Sequence, residues 1–441
     1  MRISVIGCGY LGAVHAAAMA SLGHEVVGID VDQAKIDSLR AGRAPFYEPG
    51  LPELLLEAGA SGGLTFGTDI AAVAGARVHF VCVGTPQMKG EFRADLSYVD
   101  ASIAALVPHL QPGDVVVGKS TVPVGTAERL AVELEPTGAT LIWNPEFLRE
   151  GFAVEDTLHP DRFVYGLPTD DAGVVTPAGD AARTLLDEVY ATPLADDTPQ
   201  VLTDYATAQL VKVAANSFLA TKISFINAMA ELCEATGADV TQLADAIGYD
   251  VRIGRRFLNA GLGFGGGCLP KDIRAFMARA GELGVDQALT FLREVDSING
   301  RRRERMVDLA REVCGGSLVG KRVAVLGATF KPNSDDIRDS PALAVALGLE
   351  KQGAHVVVTD PQGLENARQA WPELHYADDV LDAVRDADAV LLGTEWSQYR
   401  ELEPDVLGGL VAGKHMLDGR NVLDPVQWRA AGWTYRALGR P

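Results

Sequence analysis

No apolar run in this 441-residue sequence approaches the roughly 18 residues that a membrane-spanning helix requires. Cysteine is sparse: the 5 residues at 8, 82, 233, 268 and 314 form no CxxC pair. An odd, scattered set argues against a disulfide framework and structural zinc, and suits a reducing compartment. The 8 histidines are equally dispersed, and none falls at metal-ligand spacing, so no metal is expected. Basic residues are outnumbered by acidic ones, 39 against 59, for a net charge of −20. That field disfavours nucleic acid or an anionic membrane as partner. There is no low-complexity tract, and the chain enters an apolar strand pattern at Arg2, so no signal peptide is expected. A cytoplasmic protein of two or three domains is the reading.

What the chain has is glycine in telling places. Gly7-Cys-Gly9-Tyr-Leu-Gly12 follows a short apolar strand and opens an Ala-rich helix, and the next strand ends in Asp30. In that context GxGxxG is the dinucleotide-binding pattern, with pyrophosphate on the helix N-terminus and the acid on the ribose hydroxyls. An acid there, instead of an arginine, favours NAD over NADP. Two further strand–turn units follow, ending in Gly84-Thr85-Pro86 and in Ser120-Thr121. Thr121 is placed either beside the cofactor or as a hydroxyl capping the next helix. Asn144-Pro-Glu146-Phe-Leu-Arg-Glu150 carries two carboxylates four apart; on one helical turn they would raise each other's pKa.

From Asp204 to about Thr236 the pattern is helical without a breaker, long for a globular helix. It reads as a spine between domains. A stripe of small residues (Leu210, Ala214, Ser217, Thr221, Ser224, Ala228) lies beside apolar Val213, Leu219, Ile223, Ile226, Ala230 and Cys233, a breadth that suggests a dimer contact. Lys212 and Asn216 sit one turn apart on it, the lysine in apolar surroundings that would lower its pKa.

The loop Gly263-Phe-Gly-Gly-Gly-Cys268 then sets four glycines ahead of a cysteine, and Pro270 sits where a helix would begin, with Gly281 expected to end it. A thiol at a helix N-terminus, close to Lys271, favours thiolate. Of the basic clusters, Arg252-Ile-Gly-Arg-Arg256 adjoins this loop, while Arg301-Arg-Arg-Glu-Arg305 reads as a solvated helix face.

From Lys321 the chain repeats its opening pattern: strand, turn, a helix capped by Ser340-Pro341, and a strand ending in Asp360. The first turn, running through Phe330-Lys331 to Arg338, is longer and lacks GxGxxG. It is expected to meet another anionic group, such as a nucleotide carried by the substrate. An NAD fold with a reactive thiol admits one particular chemistry. An alcohol is oxidised to an aldehyde, trapped as a thiohemiacetal, oxidised again to a thioester, and hydrolysed.

These motifs, in this order over essentially the whole chain, resemble the signatures of the nucleotide-sugar dehydrogenases, the UDP-glucose/GDP-mannose dehydrogenase family. The resemblance implies an α/β protein with two doubly wound Rossmann-like domains joined by a long central helix. Residues 1–200 would bind NAD, 201–314 would form the dimerisation region with the cysteine loop, and 315–441 would bind the UDP-sugar. It further implies a homodimer that oxidises UDP-glucose to UDP-glucuronate by four electrons. Carried over by position, Cys268 is the nucleophile. Lys212, Asn216 and Asp272 serve the oxyanion and proton transfer, and Thr121, Glu146 and Glu150 the hydrolytic step. The implied cofactor positions are Gly7, Gly9, Tyr10, Leu11, Gly12, Asp30, Lys35, Gly84, Thr85, Pro86, Ser120, Thr121, Glu150, Lys271 and Arg338. Implied substrate positions are Phe147, Leu148, Arg149, Glu150, Lys212, Asn216, Arg252, Phe264, Gly265, Gly266, Cys268, Phe330, Lys331 and Arg420.

The sequence departs from the family where Gly267 and Leu269 flank the cysteine in place of the frequent Ser and Phe. Cys-Leu-Pro-Lys-Asp272 also resembles the GDP-mannose branch, whereas His159-Pro-Asp-Arg162 and Asp418-Gly-Arg-Asn421 look more like the UDP-glucose branch. The alternatives are the same reaction on GDP-mannose or another nucleotide sugar, or a two-electron dehydrogenase in which Cys268 is structural.

Overall fold

A computed structural model describes residues 1–441. Its contacts divide the chain into two compact units: Met1–Ala215 with Arg274–Gly284, and Asn216–Ile273 with Val285–Pro441. No helix is long and apolar enough to cross a membrane.

The first unit is built on eight strands: β1 (Arg2–Ile6), β2 (Glu25–Ile29), β3 (Leu64–Gly67), β4 (Val78–Val81), β5 (Val115–Gly118), β6 (Thr140–Trp143), β7 (Phe163–Leu167) and β8 (Gln200–Asp204). Their order across the sheet is β3-β2-β1-β4-β5-β6-β7-β8. Pairing is parallel except between β6 and β7. Most of these segments are short Val/Ile/Leu runs buried on both faces, the composition a helix-covered parallel sheet demands. The first helix (Tyr10–Ser21) is buried over nearly all its length, its alanines allowing close approach to the sheet. The strand order reverses between β1 and β4, so a crevice opens at the carboxyl ends of these two strands, where ligands of such sheets bind.

The second unit repeats this plan with β9 (Arg322–Leu326), β10 (His355–Thr359), β11 (His375–Tyr376), β12 (Ala389–Leu392), β13 (His415–Asp418) and β14 (Thr434–Ala437), all parallel. Its order, β11-β10-β9-β12-β13-β14, matches that of the first six strands. The duplication read from the sequence is therefore one of topology. In both units an acid follows the second strand and accepts from the backbone N–H of the first turn: Asp30 from Cys8, and Asp360 from Ala328 and Thr329. Asp360 also accepts from the Thr329 hydroxyl, the Trp396 indole and the N–H groups of Gln362 and Gly363. Its oxygens are committed internally, and no ribose diol could be bound there without breaking them. The repeat has kept its fold and closed its dinucleotide acid.

The long helix spans Tyr205–Thr236, following β8 directly, and the division between the units falls inside it. Val213, Ile226, Ala230 and Cys233, read above as a possible dimer surface, are buried within the chain. Phe218, Phe225 and Leu232 are exposed instead, spaced by seven, as is Leu210 near the start of the helix. A second correction concerns Arg301–Arg305, which is not a uniformly solvated face. Arg302, on the helix Thr290–Val313, is 1% exposed and pairs with Glu234 of the long helix, which also accepts from Arg305. Burial alone would raise the Glu234 pKa, but these two guanidiniums win and hold it below the usual carboxylate range.

We expect Arg302→Ala to cost about 3 kcal/mol of stability at neutral pH, measured by urea unfolding, because it strips a buried partner from an ionised carboxylate. A depressed carboxylate pKa gives stability that is present above its unfolded value and lost as pH falls through the folded one. The gap between wild type and variant should therefore narrow in acid.

Candidate active site

At the crevice of the first unit, Gly7 has φ +89°, and a Cβ there would lie 2.9 Å from the Val83 backbone. A Cβ on Gly12 would sit 1.8 Å from the Gly7 carbonyl oxygen, so helix and turn could not approach. Gly9 differs, since a Cβ on it would touch nothing within 4 Å. Its bareness leaves room for a ligand instead of for the protein. The helix beginning at Tyr10 has no side-chain cap, leaving its first-turn dipole for an anion. Asp30 is aimed by Cys8 N–H at 2.9 Å and pairs with Lys35 Nζ at 2.9 Å; next to it the Val31 side chain is 96% exposed. An anchored acid, an apolar platform and an uncapped helix fit the ribose, adenine and diphosphate of NAD. On the adjoining strand ends, the Thr85 hydroxyl donates to the Thr121 carbonyl and that of Ser120 to the Val83 carbonyl. These bonds tie the two turns together and leave Gly84 and Pro86 at the crevice edge. Thr121 does not cap the next helix, because Gly125 holds that place.

The segment from Asn144 to Gly151 is not a helical turn. It runs irregularly until the helix Ala153–Leu158, so Glu146 and Glu150 do not share a helical face as expected. Glu146 accepts from the Leu148 N–H and, at 2.9 Å, from Lys212 Nζ. Lys212 is thus buried but paired, and the expectation of a lysine desolvated among apolar residues is corrected. Its ammonium lies 5.5 Å from the Phe147 ring centre, over which Arg162 also stacks at 3.8 Å. Leu148 packs on the core, while Arg149 is turned to Asp156 in an exposed bidentate pair.

Sequence reasoning missed Glu48. It is 2% exposed and accepts from the Tyr10 hydroxyl and from the N–H groups of Gly151 and Ala153. It thereby clasps the glycine turn to the far end of the Glu146–Glu150 segment. Its place just before Pro49-Gly50 reads in sequence only as a turn acid.

In the second unit Cys268 is exposed, directly ahead of the helix Leu269–Glu282. It is not packed away as a small buried hydrophobe. Gly281 lies inside that helix, which runs on because a glycine in the last turn can remain helical when no positive φ is imposed. Gly284, at φ +75°, makes the break. Asp272, four residues after the cysteine and 2% exposed, accepts from Lys271 Nζ at 2.7 Å and from Asn216 Nδ2 at 2.6 Å.

The glycine loop is strapped from several sides. Asn299, absent from the sequence reading, grips Phe264 by both backbone groups, accepting from its N–H and donating to its carbonyl. A Cβ on Gly263 would lie 2.0 Å from the Asn299 amide oxygen. A Cβ on Gly265 would meet the Asp339 carbonyl, and one on Gly266 the Phe330 ring. Gly267 leaves the space taken by the Arg338 guanidinium, 2.2 Å from where its Cβ would be, while Arg338 also pairs with Asp336. Arg420 spends its donors on the carbonyls of Gly393, Gly263 and Phe330, beside Glu395. Lys331 lies over the Phe330 ring at 5.4 Å. Arg252 stands apart, exposed and paired with Asp250.

Cys268 should be alkylated by iodoacetamide on the native protein at pH 8 at least about tenfold faster than Cys8, Cys82 or Cys233. Those three are buried, and burial pushes all their thiols up, Cys82 to about 12. Peptide mapping identifies the first site, and early modification of Cys82 would contradict this exposure pattern.

Three family descriptions match in series. They are the UDP-glucose/GDP-mannose dehydrogenase family NAD binding domain over residues 1–192, its central domain over 206–301 and its UDP binding domain over 324–425. The chain is 42% identical to a UDP-glucose 6-dehydrogenase of Rhizobium meliloti over 446 aligned residues, covering 100% of both. It is 39% identical to one of Bacillus subtilis, covering 100% of this chain and 93% of that one. Among solved structures it resembles a UDP-glucose dehydrogenase from Pyrobaculum islandicum, with TM-score 0.89 and 38% identity, covering 100% of this chain and 98% of that one. The chain belongs to the UDP-glucose/GDP-mannose dehydrogenase family.

Proposed function

We propose that this protein is an NAD-dependent dehydrogenase that oxidises UDP-glucose to UDP-glucuronate, with the reacting carbon carried on Cys268. The observation that carries the mechanism is the exposed thiol at the head of a helix, with buried Asp272 and Asn216 and half-buried Lys271 hydrogen-bonded together beside it. NAD bound at the glycine turn, against Gly9 and Asp30, supplies the hydride acceptor for both oxidations.

The residues of the chain do the rest. In the first oxidation the sugar's C6 hydroxyl loses a hydride and a proton to become an aldehyde. Asp272, held between Lys271 and Asn216, supports proton removal through water, and the amide of Asn216 and the ammonium of Lys212 stabilise the developing oxyanion. The Cys268 sulfur then adds to the carbonyl carbon, its proton passing to the oxygen, to give a thiohemiacetal. Loss of a second hydride and the hydroxyl proton leaves a thioester. Glu146 takes a proton from water, whose oxygen attacks the thioester carbon; the C–S bond breaks and the thiol is restored. Thr121 and Glu150 help to place that water. Over the cycle two hydrides and three protons leave, and one water oxygen enters. Lys331, Phe330 and the 264–266 backbone are the reading for the UDP-sugar side, since the acid of the second dinucleotide fold is internally committed. Arg420, tied to three carbonyls, serves that side by fixing the loop.

With UDP-glucose and NAD supplied, two NADH should form per sugar consumed, against one for a two-electron enzyme. Cys268→Ala should abolish acid formation, a loss on the order of 10³-fold or more. Full net turnover by that variant would remove the covalent mechanism, and GDP-mannose turned over in preference would move the substrate to the other branch of the family.

Assembly as a homodimer is part of the same reading. Phe218, Phe225 and Leu232 project into solvent at heptad spacing on a 32-residue helix, a stripe that a second copy of the same helix would cover. Light scattering should give the mass of two chains, and Phe225→Glu should shift it toward one.

A further inference from the structure

Lys119 is the least expected side chain in the first unit. It is 7% exposed at the carboxyl end of β5, and no carboxylate lies within ion-pair distance of it. Its Nζ donates to Asn144 Oδ1 at 3.0 Å and to the Tyr190 hydroxyl at 3.3 Å. The Tyr190 hydroxyl donates to the same Asn144 oxygen at 3.0 Å, while Asn144 Nδ2 donates to the Val164 carbonyl at 3.0 Å. Asn144 is therefore fixed at every polar atom of its side chain. It is also the residue at which β6 gives way to the segment carrying Glu146.

An ammonium buried among neutral oxygens and aromatic rings is costly, and replacing such a charge by an apolar chain of similar length is commonly neutral or stabilising. Stability does not explain Lys119. Asn144 Oδ1 would remain satisfied by Tyr190 without it. The charged and titratable groups facing it are Cys82 after β4, Glu146 beyond β6, Lys212 on the long helix, Tyr190 after the helix Pro177–Val189, and His15 on the first helix. Among them Glu146 is the only carboxylate within electrostatic reach.

We infer that Lys119 is a positioning residue for the Glu146–Lys212 pair: its ammonium locks the Asn144 hinge of the Glu146 segment and places a second positive charge within reach of that carboxylate. This rests on the reading of Glu146 as the base of the hydrolytic step. Burial pushes the Lys119 pKa down to about 8, so the charge is largely present at neutral pH and fades above it. Because the folded pKa lies below the unfolded one, the unfolded chain binds more protons between these values. Lys119 therefore weakens the fold in its charged range, and that penalty relents as pH rises from about 8 toward the ordinary lysine value.

The test compares Lys119→Met, Glu146→Gln and the double variant in the full chain with UDP-glucose and NAD. Lys119→Met should fold with a melting temperature at pH 7 equal to or a few degrees above wild type, an advantage that shrinks above pH 8. Its kcat should fall roughly ten- to a hundredfold with both KM values unchanged, as misplacing a reacting group does. The double variant should be no slower than Glu146→Gln alone, since the two act on one step. An unimpaired Glu146→Gln would sink the reading of Glu146, and the inference with it. An impaired Glu146→Gln beside a fully active Lys119→Met, or two losses that multiply, would overturn the inference alone. Should Lys119→Met not fold, Lys119→Gln removes the charge while keeping a polar head group toward Asn144 and Tyr190. It is then expected to lower kcat with both KM values unchanged, and full activity there would overturn the proposal.

Discussion

A cysteine that follows a run of glycines has a defined position only if something holds the run still. The backbone of Gly263–Gly267 has no side chains of its own with which to pack, and it loses more conformational freedom on ordering than any other sequence would. The second unit offsets this with buried polar side chains used as straps. Asn299 binds both backbone groups of Phe264, Asn227 accepts from Gly261, Arg420 and Arg303 bind the carbonyls of Gly263 and Phe264, and the Arg338 carbonyl accepts from Gly266. Each glycine is needed because a neighbouring atom occupies the place its Cβ would take, so looseness in sequence becomes close fit in space. Cys268 is presented at the end of this strapped segment, ahead of a helix, exposed where Cys8, Cys82 and Cys233 are buried.

The two Rossmann-like sheets show how one topology serves two purposes through a few hydrogen bonds. At the first, the acid after β2 is held by the Cys8 and Asp32 N–H groups and a lysine, beside a bare glycine and an uncapped helix. At the second, the corresponding acid is saturated by backbone, a threonine hydroxyl and an indole. The strand order is shared, so the difference does not lie in the fold. It lies in whether the carboxylate at the switch point still has oxygens to offer.

Buried charge follows a similar division of labour. Arg302 with Glu234 ties two helices within the second unit and belongs to stability. Glu48 and Lys119 have no ionic partner, and they bracket one segment: Glu48 accepts from Gly151 and Ala153 at its end, and Lys119 donates to Asn144 at its start. An irregular segment between two such anchors can carry Glu146 and Glu150 in defined positions without being a helix or a strand.

The sequence by itself determined the sheets, the cofactor turn and the place of Cys268 ahead of a helix, because those depend on local rules. Val/Ile runs make buried parallel strands, GxGxxG must precede a helix, and a cysteine before Pro270 must stand at a helix start. It failed where partners are distant. Glu146 and Glu150 looked helical because their spacing suits a turn, but the Pro145 ring and the clasp by Glu48 favour an irregular path. Lys212 looked isolated because Glu146 lies 66 residues away. Arg302 looked solvated because charge alone says nothing of what packs above it, and Asn299, Glu48 and Lys119 gave no signal since their partners are backbone groups or neutral side chains far along the chain. Which polar groups are buried, and what satisfies them, is decided only when segments remote in sequence meet and water is removed from between them.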